Sequence, residues 1–382
     1  MANKILFVFP SFGIGGTTVS IRNLISLLVK EGYDCWVMPL IPQGVLQHLY
    51  DDVPQVKTPF AIHALAISGW KKETTWMRKI GAALFRMIRS CFPRFEPWIV
   101  GKALDSIVGR HHFDTIVAGQ ENITTCFVSY AGIKSKVAWV RCDYRRWMAD
   151  SGEERGLHYN GFKAIVCVSV QTCESFKEVF PEYINKTFCI PNPQDSDLII
   201  RRANNDEAEP RFTTSDNTIV SIGRFDAIKR FDQIAPIARQ LKEHGLKFRW
   251  YLIGDGVEHE RIKESIVENK MEENVILLGA KTNPFFYIKR ADVLVCLSRS
   301  EACPRVVNEA KILHTPTIST DFPTIYEFIN DGETGIITSL YVMPDAIMRL
   351  LTDNELLKRI KTNIGLFEFD NTALMEQIES FL

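Results

Sequence analysis

Glu301 and Glu309 stand eight residues apart in SRSEACPRVVNEA, the first ahead of an apolar helical pattern and the second in its second turn. Pro304 suits the first helical position, where a missing N–H costs nothing. The start of a helix is a ready anion site, because its unpaired N–H groups and its dipole both favour negative charge. Two acids that can accept sugar hydroxyl protons, beside a helix end that can hold phosphate, point to a nucleotide-sugar pocket. The spacing alone also fits two solvated glutamates near a helix start. The surrounding residues decide between them.

Three further groups bear on that choice. Gly13, Gly15 and Gly16 follow an apolar run in PSFGIGGTT, with Thr17 and Thr18 after them. Glycines let a backbone approach an anion closely. A nicotinamide-type site is the rival, but the pattern is GxGG without a third glycine, and the next strand ends at Met38-Pro39-Leu40 with no acid for a ribose. A plain tight turn is the other alternative. Arg224 and Lys229 sit in GRFDAIKR, and paired cations suit a diphosphate, the arginine through its fork of donors. Asn283-Pro284 in GAKTNPFFYIKRAD is a short rigid turn that can offer backbone groups to a base edge, or is simply a turn.

The elements that must position these residues alternate. Apolar runs at 4–10, 33–40, 113–119, 136–142 and 164–169 read as strands, with a helical pattern at 18–30 after the first. The pattern restarts with strands at 217–224, 247–256, 274–279, 292–298 and 315–320 and a helix at 231–244. Strands alternating with helices imply parallel sheets covered on both faces, and ligands at such sheets bind beyond the carboxyl ends of the strands. The expected class is α/β: two Rossmann-like doubly wound domains facing a central cleft, over 1–195 and 196–368. The polar stretch 201–217 suits a linker, and a last helix near 371–382 is apolar at Leu374, Ile378 and Leu382.

Bulk properties exclude several classes. A chain of 382 residues carries two full cores, and a net charge of −1 does not suit a nucleic-acid partner. Residues 1–195 hold 22 Lys/Arg against 17 Asp/Glu, a balance of +5; the remainder holds 23 against 29, a balance of −6. That asymmetry suggests one surface that meets something anionic. Nine scattered cysteines with no CxxC pair read as reduced, mostly buried thiols, and no zinc-like spacing appears. No apolar run reaches the roughly 20 residues of a spanning helix. MANK leads straight into a strand without the look of a signal peptide, so a cytoplasmic protein is expected, or one peripheral on the cytoplasmic face of the inner membrane.

Taken together, SIGRFDAIKR, LIGDG, LLGAKTNPFFYIKRAD, SRSEACPRVVNEA and FPTIYEFINDGETGIIT resemble, in order and spacing, the group 1 glycosyltransferases, with seven residues between their two glutamates. The resemblance covers about 170 residues closely and extends more loosely to GIGGTT, KVAWVRCDYRRW and IPNP (190–193). It implies a metal-independent, retaining hexosyltransferase of the GT-B fold, without cofactor, whose last helix (369–382) crosses back to the first domain. Arg224 and Lys229 are implied to hold the donor diphosphate and stabilise the leaving group, work a metal does elsewhere. Glu309 is implied to bind the ribose hydroxyls and Glu301 those of the transferred sugar. Gly223 and the backbone from Pro304 through Arg305 and Val306 to Val307 are implied to approach the donor, and Cys303 and Arg305 fall where the sugar is often contacted. Asn283 and Pro284 belong near the base, in a loop similar to those that take UDP-sugars. Gly15 and Gly16 are implied to meet the donor phosphate or the acceptor.

One position departs from the pattern. Where many relatives place a histidine near the anomeric carbon, this chain has Arg141, followed by Cys142 and Asp143. Arginine cannot serve as a base at cellular pH. The resemblance implies that the departing phosphate takes the acceptor proton, which leaves Arg141 to bind the sugar or an anionic acceptor and Asp143 to orient it. The rivals are a non-catalytic nucleotide-sugar binder and a sugar-nucleotide epimerase on the same fold.

The acceptor side is read from 70–102. Residues 70–98 carry seven Lys/Arg and two Glu, with Trp76, Ile80, Leu84, Met87 and Cys91 on one helical face and Lys72, Lys79, Arg86 and Arg89 toward another. Such a segment is either a core helix with a solvated basic face or one that lies in an anionic membrane surface. The resemblance favours the second, and with it a glycan or glycolipid acceptor such as a lipid-linked oligosaccharide or a lipopolysaccharide or capsule precursor.

Overall fold

The computed structural model describes residues 3–13, 15–66, 80–81, 83–84, 87, 90–92, 94–151, 159–205, 209–214 and 216–382, the side chains of 150 and 151 excepted. The chain forms two compact units, 1–194 with 371–382, and 195–370.

In the first unit, strand β1 (Lys4–Ser11) leads into helix α1 (Gly16–Lys30) and strand β2 (Asp34–Ile41). Helices α2 (Phe60–Ala66) and α3 (Phe95–His111) precede β3 (Thr115–Ala118) and α4 (Ile123–Ser129). Then come β4 (Lys136–Val140), α5 (Tyr144–Ser151), β5 (Ala164–Cys167), α6 (Val170–Val179) and β6 (Thr187–Cys189). The sheet is parallel with order β2-β1-β3-β4-β5-β6. Residues Ile5 to Phe9 are fully buried because helices cover both faces, so the strand is continuously apolar rather than alternating. Helix α1 buries Ile21, Leu24, Ile25 and Leu28, the i, i+3, i+4, i+7 stripe of an amphipathic helix. Each such side chain contributes about 1.5–3 kcal/mol relative to exposure.

The second unit opens with α7 (Ser196–Asn204), β7 (Asn217–Ile222), α8 (Ile234–Glu243), β8 (Phe248–Ile253), α9 (His259–Glu268) and β9 (Val275–Gly279). It continues through α10 (Phe285–Arg290), β10 (Val293–Cys296), α11 (Arg305–Ile312), β11 (Thr317–Thr320) and β12 (Ile336–Thr338). Helices α12 (Met343–Thr352) and α13 (Asn354–Gly365) close it. Its sheet order, β12-β11-β10-β7-β8-β9, reverses direction between β7 and β10. The first sheet reverses between β1 and β3. Those reversals open the crevices in which doubly wound sheets bind ligands.

Four details differ from the sequence reading. Edge strands β6 and β12 are three residues each, with little apolar signal. The polar stretch 201–217 is not the joint between units: 201–204 belong to α7, and Phe212 packs against Tyr251, Phe286 and Tyr287. Pro304 is the N-cap of α11, one place ahead of the first helical residue, Arg305, rather than that residue itself. The last helix, α14 (Thr372–Glu379), buries Met375 and Ile378, while Leu374 is only partly buried.

The chain ends on the first unit. The Asn371 side chain accepts from the Gln194 N–H at 3.1 Å and donates to its carbonyl at 2.7 Å. Phe381 packs on Trp139 and Phe188, and Thr115 Oγ1 donates to the Leu382 carbonyl at 2.9 Å.

Candidate functional site

The loops leaving β7 and β10 meet at the second unit's reversal point. After β7, Gly223 and Phe225 donate to the Ile253 and Asp255 carbonyls, each at 3.0 Å. A Cβ on Gly254 would fall 1.8 Å from the Gly223 oxygen, and one on Gly256 would fall 2.4 Å from that of Phe225. The glycines of LIGDG therefore hold the GRFDAIKR loop in place by letting the two backbones touch.

That loop carries the two expected cations. Asp226 folds it, accepting from the Ile228 and Lys229 N–H groups at 3.1 Å each. The other Asp226 oxygen pairs with the exposed Arg224 guanidinium at 2.7 Å. Lys229 turns inward to pair with Glu301 Oε1 at 2.7 Å. Burial works against the Lys229 charge, but Glu301 outweighs it and the pKa stays above the ordinary lysine value.

Glu301 is reached from β10. Its Oε1 also accepts from Ser298 Oγ at 2.6 Å and lies 3.6 Å from Cys296 Sγ. Glu309, 3 % exposed, is paired with Arg305 one turn back on α11. The Arg305 and Val307 N–H groups are used within the turn, on the Cys303 and Pro304 carbonyls at 2.9 and 3.0 Å. Of the backbone expected to face phosphate, the Val306 N–H is the donor not engaged in this way. The Val307 side chain is buried among Cys296, Phe322, Ile325, Phe328 and Ile329. Cys303 and Val306 border the same cluster.

Asn283 serves packing as well as the turn. Its Nδ2 donates to the Arg202 carbonyl at the end of α7 at 2.9 Å, while its Oδ1 is buried without a partner. Pro284 caps α10.

In the first unit, Gly15 is the extended N-cap of α1, and a Cβ there would meet nothing within 4 Å. Glycine is not required there by packing, so the open face is available to a ligand. The Thr18 hydroxyl faces inward, toward the Ser11 and Gly13 carbonyls.

Arg141, just past β4, donates through Nε to the Gly119 carbonyl at 2.8 Å and through Nη1 to Asn192 Oδ1 at 2.5 Å. Its N–H donates to Glu121 Oε2 at 2.7 Å. Asp143 Oδ1 accepts from Ser175 Oγ at 2.6 Å and from the Arg146 N–H at 3.3 Å, which places it at the start of α5 as a cap. Burial would raise the Asp143 pKa, but these donors prevail and hold it below the usual carboxylate value.

Three residues of these sites were missed from the sequence. Ser298 and Asp226 are small polar residues in loops, and nothing in their spacing marks them. Glu121 follows β3, and burial pushes its carboxyl up against the donors that would lower it. The next residue, Asn122, has φ 70 and ψ −132. A non-glycine backbone held there is the kind of strain that collects beside functional sites.

Among the described residues, no group of three or more His, Cys, Asp or Glu is placed to hold a metal ion. A cavity of about 650 Å³ lined by Arg211, Arg249 and Glu272 lies where β8 and β9 begin, at the edge opposite the site.

The architecture has clear counterparts. The crystal structure of Anabaena Alr3699/HepE in complex with UDP-glucose superposes with a TM-score of 0.76 at 16% identity, covering 99% of this chain and 98% of that one. Sucrose-phosphate synthase from Thermosynechococcus elongatus gives 0.71 at 15%, covering 99% and 98%. The fold is therefore that of the GT-B glycosyltransferases. Residues 203–365 match the family model described as glycosyl transferases group 1, and the second unit belongs to that family.

Curated relatives align over part of the chain. Alpha-D-kanosaminyltransferase of Streptomyces kanamyceticus is 28% identical over 176 residues, 44% of this chain and 45% of that protein. The N-acetylgalactosamine-N,N'-diacetylbacillosaminyl-diphospho-undecaprenol 4-alpha-N-acetylgalactosaminyltransferase of Campylobacter jejuni is 26% identical over 150 residues, 38% and 40%. The alignment thus spans less than half the length of these relatives.

Proposed function

We propose that this chain is a retaining, metal-independent hexosyltransferase that moves a sugar from a nucleotide sugar, a UDP-sugar, to a glycan acceptor carried on lipid. The observation that carries this reading is the Lys229–Glu301 pair, with Glu309 buried one helix turn beyond it, at the reversal point of a sheet whose family transfers sugars. Arg224 and Lys229 take the diphosphate, Glu309 the ribose and Glu301 the sugar hydroxyls. The bond from the anomeric carbon to the diphosphate breaks, and a bond to the acceptor oxygen forms on the same face. The acceptor proton leaves on the departing phosphate, so no side-chain base is needed. Excluding water from the reacting groups strengthens every charge interaction in this scheme.

The acceptor side rests on the basic, apolar segment 70–102. Trp70, Lys71, Lys72, Trp76, Arg78, Lys79, Arg86 and Arg89 lie outside the described residues. Of the described ones, Ile80, Leu84, Met87, Phe92 and Trp98 are exposed by about half or more. That exposure favours an anionic membrane surface over a buried core helix, and with it a peripheral position on a cytoplasmic membrane face. No helix among the described residues is long and apolar enough to cross a membrane.

Calorimetry and thermal shift with UDP, GDP and ADP test the donor site, with Glu309→Ala and Arg224→Ala beside the parent. Micromolar binding of one nucleotide, lost in both variants that still unfold cooperatively, is expected. No binding of any of the three would overturn the reading. Binding without transfer to any acceptor would favour a non-catalytic binder, the rival suggested by Arg141.

A further inference from the structure

All the donors on Glu301 converge on a single oxygen. Oε1 takes Lys229 Nζ at 2.7 Å and Ser298 Oγ at 2.6 Å, with Cys296 Sγ at 3.6 Å. Oε2 accepts no hydrogen bond from a described residue. A carboxylate held by one oxygen has its other oxygen aimed by that grip.

The grip has two unlike parts. Lys229 is a long, flexible cation on the loop after β7, and a diphosphate competes for it directly. Ser298 is 1 % exposed. Thr320 Oγ1, at the end of β11, donates to the Ser298 carbonyl at 2.6 Å, so the neighbouring strand fixes its backbone. The serine hydroxyl is the main hold left on Glu301 once an incoming phosphate draws the lysine away, with Cys296 Sγ a weaker one.

We infer that Ser298 is the positioning residue of the sugar subsite: it holds Glu301 Oε1 while Lys229 exchanges to the donor diphosphate, leaving Oε2 to accept hydroxyls of the transferred hexose. This rests on the donor-site reading above. It adds that selectivity for the sugar, as distinct from affinity for the nucleotide, depends on a residue that touches neither. Cys296, buried and held neutral, is a weaker third contact to the same oxygen.

The test compares UDP with UDP-glucose and UDP-N-acetylglucosamine by calorimetry, on the parent, Ser298→Ala and Ser298→Thr. In the parent, one of the two sugars binds more tightly than UDP. Ser298→Ala is expected to leave the UDP affinity within twofold and to cut the sugar-over-UDP ratio about tenfold, the worth of one hydrogen bond to a charged group. Ser298→Thr, which keeps the hydroxyl, restores most of that ratio. Equal loss for UDP and for the sugar nucleotide would mean a merely structural serine and would overturn the inference. So would an unchanged ratio, or a parent that gains nothing from either sugar. A parent that binds UDP no better than background fails one step earlier: the donor-site reading itself falls, and this inference with it.

Discussion

Charge pairing dominates at the scale of single residues. Arg224 with Asp226, Lys229 with Glu301 and Arg305 with Glu309 place three cations against three acids around one sheet reversal. A ligand with two phosphates and several hydroxyls must exchange some of these partners rather than fill an empty bowl. The Arg305–Glu309 pair is the most buried of the three, with side chains 16% and 5% exposed. Removing one member breaks a largely buried pair, at a cost on the order of 3 kcal/mol. Denaturant unfolding should therefore show Glu309→Ala destabilised by that order and the double variant Arg305→Ala/Glu309→Ala destabilised less. A double variant destabilised by the full sum of the singles would mean that the two charges do not depend on each other. Arg224, Lys229, Glu301, Arg305 and Glu309 were singled out in the sequence, because acids and cations at fixed spacing carry a signal, whereas Asp226 was not. Their pairing was not, because Asp226 and Ser298 act through loop geometry that no periodicity encodes.

At the scale of elements, strands were legible where both faces are covered and illegible where they are not. Strands β1 and β8 run mostly apolar, β7 is buried over its centre, and all three were read within a residue or two at most ends. Strands β6 and β12, three residues at sheet edges, leave too little buried surface to stand out from loops. Glycine motifs could be located from the sequence, but not their reasons. Gly15 has open space and an extended backbone, so it is free of packing duty. Gly254 has φ +154 and backbone 1.8 Å from where a Cβ would sit. The two positions should respond oppositely to alanine. Gly15→Ala should keep stability within about 0.5 kcal/mol yet weaken binding of a donor or anionic acceptor. Gly254→Ala should cost about 3 kcal/mol, the upper end for overpacking, by forcing the β7 and β8 loops apart. Thermal unfolding and nucleotide calorimetry on the pair check this. A Gly15→Ala protein that unfolds early would mean that its open face is filled in solution.

For the whole molecule, the sequence was legible down to two doubly wound units and a C-terminal helix belonging to the first of them. The boundary expected at 195/196 lies within a residue of the division at 194/195, but the polar stretch 201–217 only looks like a linker: Phe212 and α7 are packed into the second unit. Charge is the other property at this scale. The +5 balance of residues 1–195 is matched by +5 in residues 70–98 alone, seven Lys/Arg against two Glu. The first unit's excess is therefore equal to that of one segment, in which Ile80, Leu84, Met87, Phe92 and Trp98 are exposed and Phe95 is partly buried. A basic segment of this kind gains roughly 1 kcal/mol per Lys or Arg near an anionic surface, on top of the apolar contribution. Replacing Lys71, Lys72, Arg78, Lys79, Arg86 and Arg89 with glutamine should then release the protein from vesicles rich in anionic lipid, while nucleotide binding by the second unit persists. Sedimentation with anionic and with zwitterionic vesicles, at low and at physiological salt, separates the two contributions. The parent should bind only the anionic vesicles, and less as salt screens the charge. Binding unchanged by the six substitutions would remove the electrostatic basis of the membrane assignment and return the segment to the role of a core helix with a solvated face.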